Sequence, residues 1–181
     1  YRTKMALQYF VWRRGFMATP TIAIQALTKS QPDLETPDFR LQLSHISGAD
    51  RSETSHGMTK GLTADNFSGF RLQAFQLHPK SRGSIHIRSK NPDDLPIINA
   101  NYLTDKHDKK AVVIALSLLR KLAQQPALQE LISREVRPGA ELTSNEDLLE
   151  YAKHCGHTCW HSVSTCKMGT DKMSVVDPKL R

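Results

Sequence analysis

The absences in this chain narrow it faster than its contents do. Its longest nearly apolar run, Ala111 to Leu119, stops at Arg120-Lys121, far short of the roughly 20 residues that span a bilayer. No apolar leader segment follows a basic start. No repeat or low-complexity tract is visible, and no G-x-G-x-x-G follows a strand-like run, so the chain carries no dinucleotide-binding phosphate loop of its own. Cysteine is scarce: Cys155, Cys159 and Cys166 are odd in number and form no C-x-x-C pair. That does not read as a secreted disulfide framework and points to a reducing compartment, the cytoplasm, with at most peripheral attachment to the inner membrane.

What is there is globular. A chain of 181 residues, 39% hydrophobic and 24% charged, can bury a continuous core in one domain. It begins at Tyr1 and breaks off at Arg181 just after a histidine-bearing motif, so an excised piece of a longer polypeptide is expected. The net charge of +7 raises nucleic-acid binding, but Arg13-Arg14, Lys80, Arg82, Lys109-Lys110 and Arg120-Lys121 are scattered. Without a stripe or a recognisable module they read as solvated surface, and no nucleic-acid partner is expected.

The patterning predicts an α+β domain. An apolar, aromatic segment at residues 5 to 14 reads as a helix closed by Gly15, and a short helix is expected around Ile22 to Leu27. Pro32 and Pro37 bracket a turn. Phe39, Leu41 and Leu43 then alternate with Arg40, Gln42 and Ser44, the period of a half-buried strand. Gly48 to Asn66 is a long polar loop, either functional or a plain exposed excursion. Phe70 to Leu77 and Ser84 to Arg88 read as strands joined by His78-Pro79-Lys80-Ser81-Arg82-Gly83 as a hairpin turn, and Asn91-Pro92-Asp93-Asp94 marks another turn. The clearest helix, Asp105 to Gln124, puts Ala111, Ala115, Leu118 and Leu122 on one face. A last helix starts at a capping box Thr143-x-x-Glu146, buries Leu148, Leu149 and Ala152, and stops at Gly156 in a left-handed conformation.

His154, Cys155, His157, Cys159, His161 and Cys166 bring zinc's preferred ligand types into a short stretch. Their spacing matches no zinc motif, and Cys155 and Cys166 read as small buried hydrophobes. His161 is the candidate for chemistry. A histidine with a reference pKa near 6.5 accepts a proton at neutral pH when its pocket is shaped for it. The same residue type is also commonly a satisfied surface or core group.

Resemblance resolves that choice. Trp160-His161-x-x-x-Thr165-Cys166-x-Met168-Gly169 with Val176-Asp177-Pro178-x-Leu180-Arg181 resembles the C-terminal signature of the glucose–methanol–choline family of flavin-dependent alcohol oxidoreductases. Arg13-Arg14-Gly15, Pro37-Asp38, the His78 to Ile85 segment, Asn99-x-Asn101-Tyr102-Leu103 and Asp108 follow the same family in order, so the likeness covers nearly the whole chain. It implies a substrate domain, residues 1–181, with a mostly antiparallel sheet of about six strands and helices packed on one face. It also implies FAD held mainly by a separate domain absent here, and a small primary alcohol oxidised to an aldehyde by proton abstraction and hydride transfer to flavin. By the same resemblance His161 is the catalytic base or alkoxide partner, and Trp160 and Gln42 contact substrate. Ser164 stands where the family often has glycine, and Gln42 where choline-handling members have histidine. Gln42 hydrogen-bonds but takes no proton, so an alcohol other than choline is expected. A small module holding zinc or nucleic acid stands as the second reading.

Overall fold

The computed structural model describes residues 2–48, 65–156, 158, 161 and 163–181. Helix α1, Arg2–Trp12, is followed by a single 3-10 turn, Phe16–Ala18. Three strands come next, β1 Ile22–Thr28, β2 Phe39–Ser44 and β3 Arg71–Gln76, then two short ones, β4 Ser84–His86 and β5 Ile97–Asn99. The chain finishes with α2, Lys106–Ala123, the single turn α3, Pro126–Gln129, and α4, Asn145–Cys155. Every strand pairing is antiparallel: β1, β2 and β3 form one sheet in that order, β4 and β5 a separate ribbon. The fold class is therefore α+β, but the expected sheet of about six strands is five strands in two sheets among the described residues.

The core sits between the three-stranded sheet and α2. Phe39 is fully buried at 0% exposure against Ala111 and Ala115, with Leu41, Ala74 and Ile114 around it. The alternation that marks β2 in the sequence has this cause: odd positions meet α2, where two alanines let the helix approach closely, and even positions face away. Helix α4 packs on α2 and buries Leu148.

One buried carboxylate organises the turn between the sheets. Asp108, 2% exposed, accepts from the Gln76 side chain at 3.0 Å, the Lys80 backbone N–H at 2.8 Å and the Ser81 N–H at 2.6 Å. The Ser81 hydroxyl accepts from the N–H groups of Thr104 and Asp105, and the Asn101 amide donates to the Arg82 carbonyl. Held this way, the His78 to Gly83 segment swings from β3 toward α2. It is not the hairpin turn expected, because β3 pairs with β2 while β4 pairs with β5. Gly83 is needed for room: a Cβ there would run into the carbonyl oxygens of Asn99 and Ala100.

Other local expectations are corrected too. Ile22 to Leu27 is strand, not helix, because pairing with β2 over its length overrides a weak local preference. The capping box of α4 is Ser144 with Asp147, one residue later than Thr143 with Glu146, in the register that turns Leu148 inward. Gly156 ends α4 in extended backbone, φ −67° and ψ 149°, not in the left-handed region. Cys166 is exposed and Cys155 half-buried, so the buried-hydrophobe reading fails for Cys166. Arg120 is no solvated cation. It is half-buried, forks onto Glu135 at 2.7 to 3.1 Å and donates to the carbonyls of Leu142 and Gly139. Most of the polar loop from Gly48 to Asn66 lies outside the described residues; Asp65, at its end, pairs with Arg137 at 3.1 Å.

Candidate active site

The sheet face turned away from α2 carries the polar side chains. Antiparallel register sets Gln25, Gln42 and Gln73 abreast in one row and Leu27, Arg40 and Phe75 in the next. Gln42 Nε2 donates to Gln25 Oε1 at 3.0 Å. With its amide turned so that oxygen faces the guanidinium, Gln73 accepts from Arg71 Nε and Nη2 at 3.0 and 3.2 Å. The Arg40 guanidinium lies over the Phe75 ring, 4.8 Å from its centroid, yet its Nε is buried without an acceptor. A donor in that state typically costs about 1–3 kcal/mol. Gln42, expected from sequence, thus stands in a polar row; Gln25, Gln73 and Arg40 were missed. Alternation in β2 put Arg40 beside Gln42, but only the pairing register shows the two flanking glutamines.

The other candidate residue, His161, stands on the C-terminal hook, which makes no hydrogen bond or ion pair to the three-stranded sheet among the described residues. After α4 the chain runs through His161 to a tight loop in which the Val175 N–H donates to the Lys167 carbonyl at 2.8 Å and the Gly169 N–H to the Val176 carbonyl at 3.0 Å. A Lys167–Asp171 ion pair braces the loop. Asp177 closes the final motif by accepting from the N–H groups of Lys179 and Arg181 and from the Arg181 guanidinium. Within this frame His161 is exposed, and no hydrogen bond from its imidazole is formed among the described residues. Val163 nearby is 79% exposed. Ser164 has φ +72°, the left-handed region where glycine is at ease. Serine at this position therefore leaves the turn glycine-like rather than reshaping it.

Trp160, expected to contact substrate, lies outside the described residues, as do His157 and Cys159. No grouping of three or more His, Cys, Asp or Glu side chains suited to a metal ion occurs among the described residues. No described helix is long and apolar enough to cross a membrane. Both sheets are antiparallel, and among the described residues no strand leads through a glycine-rich turn into a helix, the arrangement that cradles a dinucleotide pyrophosphate. A shallow depression of about 360 Å³ on the outer surface of α2, lined by Lys110, Val113, Ser117, Leu118 and Lys121, holds no histidine or carboxylate and does not belong to the site.

An antiparallel sheet with one polar open face, a helix layer behind it and an exposed histidine on a braced hook define a recognisable class. A family model described as GMC oxidoreductase matches residues 79–181, and the chain belongs to that family. Among its curated relatives, an "Alcohol dehydrogenase [acceptor]" of Pseudomonas putida is 31% identical over 96% of this chain, and a choline oxidase of Arthrobacter globiformis 33% identical over 87%. This chain spans only 30% and 29% of those proteins' lengths. The solved pyridoxine 4-oxidase of Mesorbium loti shares the fold, with a TM-score of 0.71 at 24% identity over 87% of this chain and 30% of that one.

Proposed function

We propose that residues 1–181 are the substrate domain of an FAD-dependent alcohol oxidoreductase acting on CH–OH donors, working with a separate FAD-binding domain of the same polypeptide. The family membership and the exposed, unengaged imidazole of His161 carry this reading. The described residues fit contact with a flavin rather than its capture, because they form no phosphate cradle while apolar side chains around the hook, Met173 at 80% exposure among them, stand uncovered. The proposed location is the cytoplasm, with or without peripheral contact to the inner membrane.

Bound FAD supplies a hydride acceptor. This chain supplies the proton acceptor and the floor of the pocket. An alcohol hydroxyl is far too weak an acid to ionise at pH 7, so loss of hydride from its carbon requires that the proton leave as well. Neutral His161 takes that proton at an imidazole nitrogen, and as imidazolium it holds the developing carbonyl oxygen. Gln42, on the open face, donates or accepts one hydrogen bond to the substrate, and Trp160 bounds the pocket. A primary alcohol leaves as the aldehyde.

His161→Ala in the full-length, flavin-loaded polypeptide that includes the FAD-binding domain tests the assignment. The flavin absorbance should stay while the rate of flavin reduction by alcohol falls by about 10²- to 10⁴-fold. Reduction at the unaltered rate would remove His161 from the chemistry.

A further inference from the structure

Among the described strand residues the open sheet face is charged in one sense only. Its positions are Gln25 and Leu27 on β1, Arg40, Gln42 and Ser44 on β2, and Arg71, Gln73 and Phe75 on β3, with no carboxylate among them. Asp65, held by Arg137 and kept below its ordinary pKa chiefly by that pairing with a smaller pull from Arg71, is already committed. Arg71 is partly committed to the Gln73 oxygen. Arg40 is different: it rests on the Phe75 ring, it is half-buried, and its buried Nε has no acceptor. Stacking fixes the plane of the guanidinium, and its terminal Nη groups make no hydrogen bond among the described residues, which leaves that end of the fork set for an anionic oxygen pair. Arg40 and Gln42 are neighbours on one face of one strand, about 7 Å apart.

Resting on the reading of Gln42 as a substrate contact, we propose that Arg40 determines specificity by binding an anionic oxygen group on the alcohol, so that the substrate class is a short hydroxy acid and not a quaternary-ammonium alcohol. A trimethylammonium group on this face would meet a stacked guanidinium with no carboxylate beside it, which is repulsion as well as lost attraction. A carboxylate placed about one strand repeat from the reacting hydroxyl would satisfy the Arg40 donors while the alcohol end reaches Gln42.

The probes are 4-hydroxybutanoate, butan-1-ol and choline, offered to the flavin-loaded protein. The acid should reduce the flavin with the highest kcat/KM and choline with the lowest. Arg40→Met keeps an apolar cover on Phe75 and should cut the acid-over-butanol ratio by about 10- to 100-fold, with Arg40→Lys restoring part of it. Calorimetric titration of 4-hydroxybutanoate into the oxidised protein should weaken by a similar factor in Arg40→Met. An unchanged ratio and unchanged binding would overturn the proposal. So would wild-type protein that prefers choline, a comparison that still decides the matter if Arg40→Met does not fold. A loss of thermal stability with the ratio intact would give the missing acceptor to the polypeptide itself, and the assignment would fall. Protein that binds the acid through Arg40 but is reduced by no alcohol would sink the proposed reaction while leaving this site standing.

Discussion

The two sides of the three-stranded sheet treat their polar groups in opposite ways. Behind it, toward α2, two charges are met by the chain itself: Asp108 by the Gln76 amide and the Lys80 and Ser81 N–H groups among others, Arg120 by a carboxylate and two carbonyls. In front of it, and along the hook, groups are left over: a buried Arg40 Nε, an exposed His161, a serine in a glycine's conformation. A polar group saturated by its own chain can only stabilise it, whereas an unsaturated group in a fixed place is available to a ligand. The helix side is therefore read as structure and the open side as chemistry.

Asp108 is the strongest test of the closed side. Burial alone would push its pKa up, but the Lys80 and Ser81 N–H groups, the Ser81 hydroxyl and the Gln76 amide outweigh burial and bring it from an ordinary 3.8 down to about 2. A carboxyl depressed in the folded state stabilises it above the unfolded pKa, and that contribution, about 2 kcal/mol, should fade as pH falls from about 4 toward 2. Asp108→Ala should cost about 3 kcal/mol, since it leaves two backbone N–H groups and an amide without acceptors. For a chain of this size that is a melting temperature lower by about 6–12 °C. Thermal unfolding between pH 2 and 7 checks both points. A variant as stable as the parent at pH 7, or an acid transition that survives the substitution unaltered, would show that the turn is held elsewhere.

Arg120→Met should cost somewhat less, about 2 kcal/mol, by stranding Glu135 and the carbonyls of Gly139 and Leu142 in a half-exposed setting. If the division between the sides is right, this variant unfolds earlier by about 4–8 °C while its discrimination between 4-hydroxybutanoate and butan-1-ol stays within twofold of the parent's. Calorimetry with the substrate panel gives both numbers. A shift in discrimination would mean that the helix layer tunes the front face.

The ease with which these features could be read from the sequence follows the range of the forces behind them. Helix α2 and strand β2 were legible because a buried stripe leaves its period in the chain. The family signature was legible because the hook that carries most of it closes on itself within about twenty residues. What depended on distant partners was not. Ile22 to Thr28 becomes a strand only through β2, the row of three glutamines exists only through register, and Asp108 looks like an ordinary first-turn acid until the His78 to Gly83 segment arrives on it. Arg120, counted as surface charge, is captured by a loop that begins ten residues later.

The smallest expected effect bears on the hook's backbone. Ser164 at φ +72° is in a conformation that costs a residue with a Cβ about 1 kcal/mol or more. Ser164→Gly removes that cost but gives the unfolded chain more freedom, an opposing 0.5 kcal/mol or so. The two nearly cancel, leaving a gain of about 0.5 kcal/mol and a rise of 1–2 °C in melting temperature. Because the residue follows His161 by three positions, the same variant reports on whether the hook is held by its own braces, the Lys167–Asp171 pair and the Asp177 turn. If it is, flavin reduction by alcohol should change less than threefold, since relieving strain in a braced loop does not move the imidazole. A variant that is more stable yet tenfold slower would instead make the strained serine part of how His161 is aimed, and would extend the chemistry of the hook from the imidazole to the backbone turn that follows it.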